Sequence, residues 1–214
     1  MITILGRATS SNVQLVMWAI GELGLEHTRR DYGHVHGGLD TDEYLAMNPH
    51  GKIPVLQDDD LVIWESAAIL RYLCASHADD SLWPKEPRAR ALVDMWAEWG
   101  KNELCNAFTV PIFWPRVRTA AVVRDDAALA QAVARFNGYM VLLDQQLTGK
   151  TFVCGEIFTA ADIVIGHLLY RWFTIDVARD PHPQVEAYYA RLSERPAYRE
   201  HVMVSYDSLG AEGA

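Results

Sequence analysis

Two stretches of this chain hold residue types that can fix a small charged molecule. The first, Arg7-Ala8-Thr9-Ser10-Ser11-Asn12-Val13, crowds hydroxyl groups and one amide between an apolar run and a helical pattern. A hydroxyl at such a place donates a hydrogen bond to an anion, and the positive end of the following helix adds to the attraction. The second stretch is Asn48-Pro49-His50-Gly51-Lys52-Ile53-Pro54-Val55-Leu56, followed after an acidic turn by Trp64-Glu65-Ser66-Ala67-Ala68-Ile69. Pro54 stands directly before a β-branched and apolar run, where a trans proline usually aborts a strand. A cis Ile53-Pro54 bond suits the position, because the cis form of an X-Pro bond costs only about 0.5–1 kcal/mol. A turn of that kind leaves the N–H and C=O of Ile53 facing outward, free to pair with an extended peptide as an added strand would. Glu65-Ser66 then opens a helix, offering a carboxylate to an ammonium group and amide N–H groups to a carboxylate. A zwitterionic group needs both at once. Taken alone, Glu65-Ser66 reads as an ordinary helix start, and Ser10 or Ser11 as a helix cap; the coupling to Ile53-Pro54 favours the ligand reading.

The elements that position these residues follow from periodicity. Ile2 to Leu5 reads as a buried strand, and Val13, Met17, Ile20 and Gly24 mark one face of a helix beginning near Ser10 or Ser11. His27 to Tyr32 reads as a second strand, Asp40 to Met47 as a short helix, and Ile53 to Gln57 with Leu61 to Ile63 as a hairpin across Asp58-Asp59-Asp60. Ser66 to His77, striped by Ile69, Leu70, Leu73 and Cys74, closes the unit. The order β-α-β-α-β-β-α is that of a thioredoxin-like domain, assigned to residues 1–78. A polar segment with two prolines, Ala78 to Pro87, is the linker. Beyond it, residues 87–214 read as an all-helical domain. Leu129, Val133, Phe136, Met140, Leu143 and Leu147 form the apolar seam of a long helix. Thr159-Ala160-Ala161-Asp162 has the form of a capping box, with Phe158 as a staple, before a helix apolar almost all round and therefore central. Pro181, Pro183 and Pro196 punctuate two shorter helices, and the Gly210 to Ala214 tail is expected to fray.

Composition narrows the function. A 214-residue chain with 50% hydrophobic residues can bury one sizeable core or two modest ones. A net charge of -9 leaves no basic surface for a phosphate backbone, so nucleic acid is not an expected partner. Cys74, Cys105 and Cys154 are widely separated and form no C-x-x-C pair, which points to neither a disulfide framework nor a zinc site and fits a reducing cytoplasm. No apolar run approaches the roughly 20 residues that span a bilayer, and the first residues lack the pattern of a secretion leader. No metal-ligand cluster, phosphate loop or nucleophilic triad stands out.

The Asn-Pro-x-Gly-x-x-Pro turn with Glu-Ser, set in this element order, resembles the glutathione-binding half of the glutathione S-transferase family. The resemblance covers nearly the whole chain and is closest to bacterial serine-type members. It implies glutathione as co-substrate with no prosthetic group, and a γ-glutamyl group held by Glu65 and Ser66. Ile53 and Pro54 then hold the peptide, and Lys52, helped by His50 or His36, neutralises the glycine carboxylate. Relatives carry a polar contact shortly before Asp40, where this chain has Leu39. The catalytic hydroxyl is implied at Ser10, with Ser11, Thr9 and Asn12 close enough to compete; Asn12 resembles the asparagine by which some bacterial members donate an amide N–H near the thiol. A free thiol has a pKa of about 8.5, so stabilising the thiolate is the first task. The electrophile would meet an apolar wall in the second domain, for which Phe113 and Trp114 are chosen from Trp96, Trp99, Phe108, Trp172 and Phe173. Arg116 and Arg118 either orient an anionic electrophile or interact with a helix dipole. His167, on an apolar helix, reads as a core histidine. The implied reaction is conjugation or halide displacement in a homodimer, with a small electrophile as second reactant. Alternatives are a glutathione-dependent disulfide or peroxide reductase, against which the lack of a cysteine among residues 7–13 argues; an isomerase working by reversible glutathione addition; and a non-catalytic interaction module on the same fold.

Overall fold

The computed structural model describes residues 1–211. They form two compact units, Met1–Asp79 together with Pro196–Val204, and the rest of the chain from Asp80. The first unit opens with β1 (Ile2–Leu5), α1 (Ser11–Glu22) and β2 (His27–Arg30), continues through α2 (Asp42–Met47), and ends in the hairpin β3 (Val55–Asp58) and β4 (Leu61–Trp64) followed by α3 (Ser66–His77). The sheet order is β2-β1-β3-β4, with β1 parallel to β2 and antiparallel to β3. This is the thioredoxin-like arrangement read from the sequence. The parallel pair needs a crossover, which α1 supplies, while β3 and β4 are joined by the tight acidic turn.

Helix α1 is buried from Val13 through Ile20, not along one stripe only. The second cover is α10 (Pro196–His201), which returns from the far end of the sequence: Trp18 meets Tyr198 edge-to-face at 4.7 Å between ring centroids. Sequence reading assigned that segment to the helical domain spanning 87–214; it packs with the first unit because its Tyr198 and Val202 are buried there.

The second unit is helical. α4 (Pro87–Trp99) starts at a proline whose missing N–H would be unpaired anyway, capped by Glu86 accepting from the Arg88 and Ala89 amides. It runs on through π-type turns at Gly100–Leu104, α5 (Cys105–Phe108) and further π-type turns at Thr109–Arg118. The helix is widened over the Pro111-to-Arg118 stretch. Proline has no N–H and its ring collides with the preceding turn of an α-helix, and a wider turn relieves both. α6 (Asp126–Leu147) buries the full predicted seam from Leu129 to Leu147. α7 (Ala160–Gly166) is buried at every residue and carries the expected capping box between Thr159 and Asp162. Asp162 also accepts from the Val153 amide at 2.9 Å and the Tyr188 hydroxyl at 2.9 Å, so its fully buried carboxylate is surrounded by donors. α8 (Leu169–Thr174) and α9 (Pro183–Ser193) complete the unit. Part of the tail expected to fray, residues 212–214, lies outside the described residues, whereas the Ala211 amide donates to Val117 O at 3.0 Å.

Candidate functional site

One row of the sheet places the site. The registers pair Arg30 with Leu5, Leu5 with Val55 and Val55 with Trp64, so β2, β1, β3 and β4 all reach the same sheet end. The residues just past that row are Asp31, Gly6, Pro54 and Glu65. Loops far apart in sequence are therefore neighbours by strand pairing alone. Beneath them Leu5, Tyr44 and Val55 form a buried cluster against which Ile53 and Trp64 pack.

The first loop is held close to the turn before β3. Gly6 has φ of 153°, and a Cβ there would lie 2.5 Å from Val13 Cγ2 and 3.2 Å from Ile53 Cβ. Only glycine allows this approach. Arg29 donates to Gly6 O at 2.8 Å and pairs with Asp31, whose carboxyl is held below its usual range first by the bond from Arg29. Ser10 is the residue preceding α1, with φ -89° and ψ 125°, and its side chain makes no capping hydrogen bond. Ser10, Ser11 and Asn12 are all partly exposed.

The Ile53-Pro54 bond is cis. The preceding carbonyl, Lys52 O, accepts from Tyr44 Oη at 2.8 Å and from Asn48 Nδ2 at 2.7 Å, both donors being buried. The Asn48 side-chain oxygen in turn accepts from the His50 amide at 3.1 Å, and Gly51 turns with φ of 58° against Leu39 O. Sequence reading missed Tyr44 and gave Asn48 no role. The only signal was Asn48 in a turn whose backbone needed a buried donor. Lys52 is exposed, as are His50, whose ring lies 5.1 Å from Trp64, and His36 in a separate turn at His34–His36.

Glu65 is exposed and sits at φ 73°, ψ 113°, a conformation that non-glycine residues rarely hold outside functional sites. Its side chain does not cap α3, and Ser66 behind it is buried. Ser66 Oγ lies 3.4 Å from Asn12 Oδ1 and donates to it, so the starts of α1 and α3 converge. Neither start is capped by the side chain before it, while Thr41, Glu86, Asp125 and Thr159 cap α2, α4, α6 and α7. Two positive helix ends thus lie at the sheet end that also carries the Ile53-Pro54 turn.

The sequence matches the family models described as "Glutathione S-transferase, N-terminal domain" over residues 5–81 and "Glutathione S-transferase, C-terminal domain" over residues 126–191. It is 36% identical over 206 residues to glutathione S-transferase GstB of Escherichia coli (strain K12), covering 95% of this chain and 99% of that protein. The chain belongs to the glutathione S-transferase family. Among solved structures, the theta class glutathione S-transferase of the citrus canker pathogen Xanthomonas axonopodis pv. citri, with glutathione bound, is 40% identical with a TM-score of 0.91, over 95% of this chain and 98% of that one. Elongation factor 1-gamma 1 of Oryza sativa subsp. japonica is 32% identical over 75% of this chain, which spans 38% of that protein.

In the second unit, Phe113 is buried, with the Arg171 guanidinium 4.5 Å above its ring and Tyr206 at 5.2 Å, while Trp114 is 44% exposed. Arg118 stacks 5.1 Å from Trp114, and Arg116 bonds to Asp176. His167 is fully buried, bonded through Nδ1 to Val164 O at 2.7 Å, and burial holds its pKa down at about 3, so it is a neutral core residue at physiological pH. Burial pushes the thiol of Cys74 up to about 12 and those of Cys105 and Cys154 up to about 11. Among the described residues no group of three or more His, Cys, Asp or Glu could hold a metal ion, and no helix is long and apolar enough to cross a membrane.

Proposed function

We propose that this chain is a glutathione transferase that binds glutathione at the sheet end and presents its sulfur as a thiolate to an electrophilic small molecule. The convergence of two helix starts without side-chain caps beside the Ile53-Pro54 turn carries this reading. The γ-glutamyl carboxylate takes the α3 amides, its ammonium takes Glu65, the peptide pairs with Ile53 beside Pro54, and Lys52 meets the glycine carboxylate. Asn12 and Ser66 close the binding face. The sulfur then lies by the first loop, where Ser10 or Ser11 donates to the anion. Attack forms the carbon–sulfur bond, and a halide leaves with its electron pair; in an addition, the new carbanion takes a proton. The exposed Trp114, next in sequence to the buried Phe113, supplies the apolar wall for the electrophile.

A cysteine-based reductase finds no support here, because every thiol of the chain is pushed up by burial and so stays protonated near neutral pH. Free thiols also suit a cytoplasmic location. Homodimerisation is supported by the exposed apolar residues Leu92 (59%) and Met95 (54%) on α4 and Leu61 (40%) and Val62 (38%) on β4. The deciding experiment titrates glutathione into the protein by calorimetry and follows thiolate absorbance in parallel. Uptake with thiolate formation is expected. Uptake without thiolate would favour a non-catalytic interaction module on this fold, and no uptake by folded protein would end the assignment.

A further inference from the structure

The first unit is covered by a helix from the far end of the chain. α10 has only six residues, too few to persist as a helix without packing. Tyr198 and Val202 hold it: both are fully buried, and the Tyr198 ring meets Trp18 of α1. The Val202 and Met203 amides donate to Tyr198 O at 2.9 and 3.1 Å, so the chain leaving α10 is ordered with it.

Beside these apolar anchors lies a pair of imidazoles. His201, the last residue of α10, meets His27 of β2 edge-on, with ring centroids 6.3 Å apart and planes at 74°. The His201 side chain is only 13% exposed. Gly21 of α1 makes room for it, since a Cβ there would lie 2.9 Å from His201 Cδ2 and 3.0 Å from Nε2. His27 Nδ1 donates to Leu25 O at 2.9 Å; a carbonyl only accepts, so the proton that His27 takes up in acid goes to Nε2.

The surroundings oppose positive charge on this pair. Arg29, two residues after His27 on the same face of β2, is always charged, and its partner Asp31 lies beyond the strand end. On α10 itself Glu200 lies 3.9 Å from His201 Nε2, but it is 75% exposed and water screens it. Glu22, the one acid of α1, accepts from Trp18 Nε1 at 2.8 Å, and Glu26 beside His27 is exposed. Burial holds the His201 pKa below the ordinary 6.5; Glu200 opposes this, while His27 and Arg29 add to it. Docked α10 thus resists a proton that released α10 accepts, so docking is strongest above about pH 6.5 and weakens as pH falls.

We propose that α10 is an acid-released cover of α1: protonation of His27 and His201 drives it from the first unit and uncovers Trp18. The device lies wholly within that unit and does not depend on the glutathione reading.

The test is hydrogen exchange of the full-length protein, read peptide by peptide by mass spectrometry at about pH 7.5 and about pH 5.5, on either side of the histidine range, and corrected for the intrinsic pH dependence of exchange. Local opening exposes the amides of one element while others stay protected. Protection of the peptide carrying α10, Val202 and Met203 is expected to fall about tenfold or more, the change per pH unit that one proton taken up on opening produces. Protection of α6 and α7 should hold. His201→Gln and, separately, His27→Gln should each cut the fall to about threefold or less, because each removes one of the two facing charges. The second variant keeps the test decisive if the first fails to fold. Protection of α10 that does not move with pH, an equal loss in α6 and α7, or a fall undiminished in whichever variant folds would each overturn the inference.

Discussion

Replacing Ser10 by alanine separates catalysis from stability, because the structure gives its hydroxyl no local task. A serine that caps a helix loses about 1 kcal/mol of stability on mutation to alanine. The Ser10 side chain makes no capping bond, while its carbonyl still accepts from the Gln14 amide at 2.8 Å, an interaction alanine keeps. The unfolding free energy of Ser10→Ala should therefore change by less than about 0.5 kcal/mol. A charge-assisted hydrogen bond to a thiolate is worth about 1.5–3 kcal/mol, which raises the thiol pKa by roughly 1–2 units when it is lost. Below the wild-type thiol pKa, kcat/KM towards an aromatic halide should then fall about ten- to hundredfold. The sign is fixed: the donor depresses the pKa, so its removal shifts the rising limb of the pH profile upward, and the two enzymes approach each other above about pH 9, where even a free thiol is ionised. The assay is the pH dependence of kcat/KM with thiolate absorbance in the glutathione complex, and thermal unfolding alongside. An unmoved pKa in Ser10→Ala, with a shift in Ser11→Ala instead, would transfer the role to Ser11. A fall in activity that merely tracks a fall in melting temperature would refute the reasoning for both.

Glu65→Gly should relieve the strained backbone at φ 73° and stabilise the fold by about 1 kcal/mol, yet weaken glutathione at least tenfold by removing the ammonium partner; denaturant midpoints and calorimetry read the two effects. Gly21→Ala gains about 1 kcal/mol of helix propensity, but its Cβ would lie 2.8 Å from Ala197 Cβ and 2.9 Å from His201 Cδ2, so a net loss of about 1–2 kcal/mol is expected in urea unfolding as α10 is pushed from α1. His167 titrates at about 3 when folded against 6.5 when unfolded, so the unfolded chain binds the extra proton first and stability falls as pH drops below about 6.5. Its share is about 1.4 kcal/mol per pH unit, and His167→Gln should flatten that part of the urea-midpoint profile between neutral pH and pH 5.

Much of the fold is legible because local patterns and tertiary packing agree. β1 and α3 have the bounds that periodicity gives them, and the α6 seam is buried as read. Departures occur where a distant partner decides. β2 stops at Arg30 and not at Tyr32, since Asp31 turns to pair with Arg29 and Gly33 follows at φ 78°. The burial of α1 on its second side depends on Tyr198, and nothing near Trp18 in sequence announces it. In the site, the Ile53-Pro54 turn and Glu65-Ser66 are visible as residue types. Tyr44 and Asn48 are not, because both act on a backbone carbonyl, which leaves no complementary side chain to find.

The sheet register explains how so few residues can define the glutathione face. Leu5, Val55 and Trp64 are paired in one row, so the first loop, the proline turn and the start of α3 share their position at one end of the sheet. A slip of one residue in β3 would turn its side chains to the opposite face and carry Pro54 out of line with Gly6. Register is in turn pinned by burial, since Leu5, Val55 and Leu56 are almost wholly enclosed. Substitutions in that row should therefore impair ligand binding and stability together, whereas substitutions at Ser10 or Glu65, which project beyond it, should divide the two. That division is the signature of a rigid sheet end presenting groups whose charges and hydroxyls are kept available to a ligand.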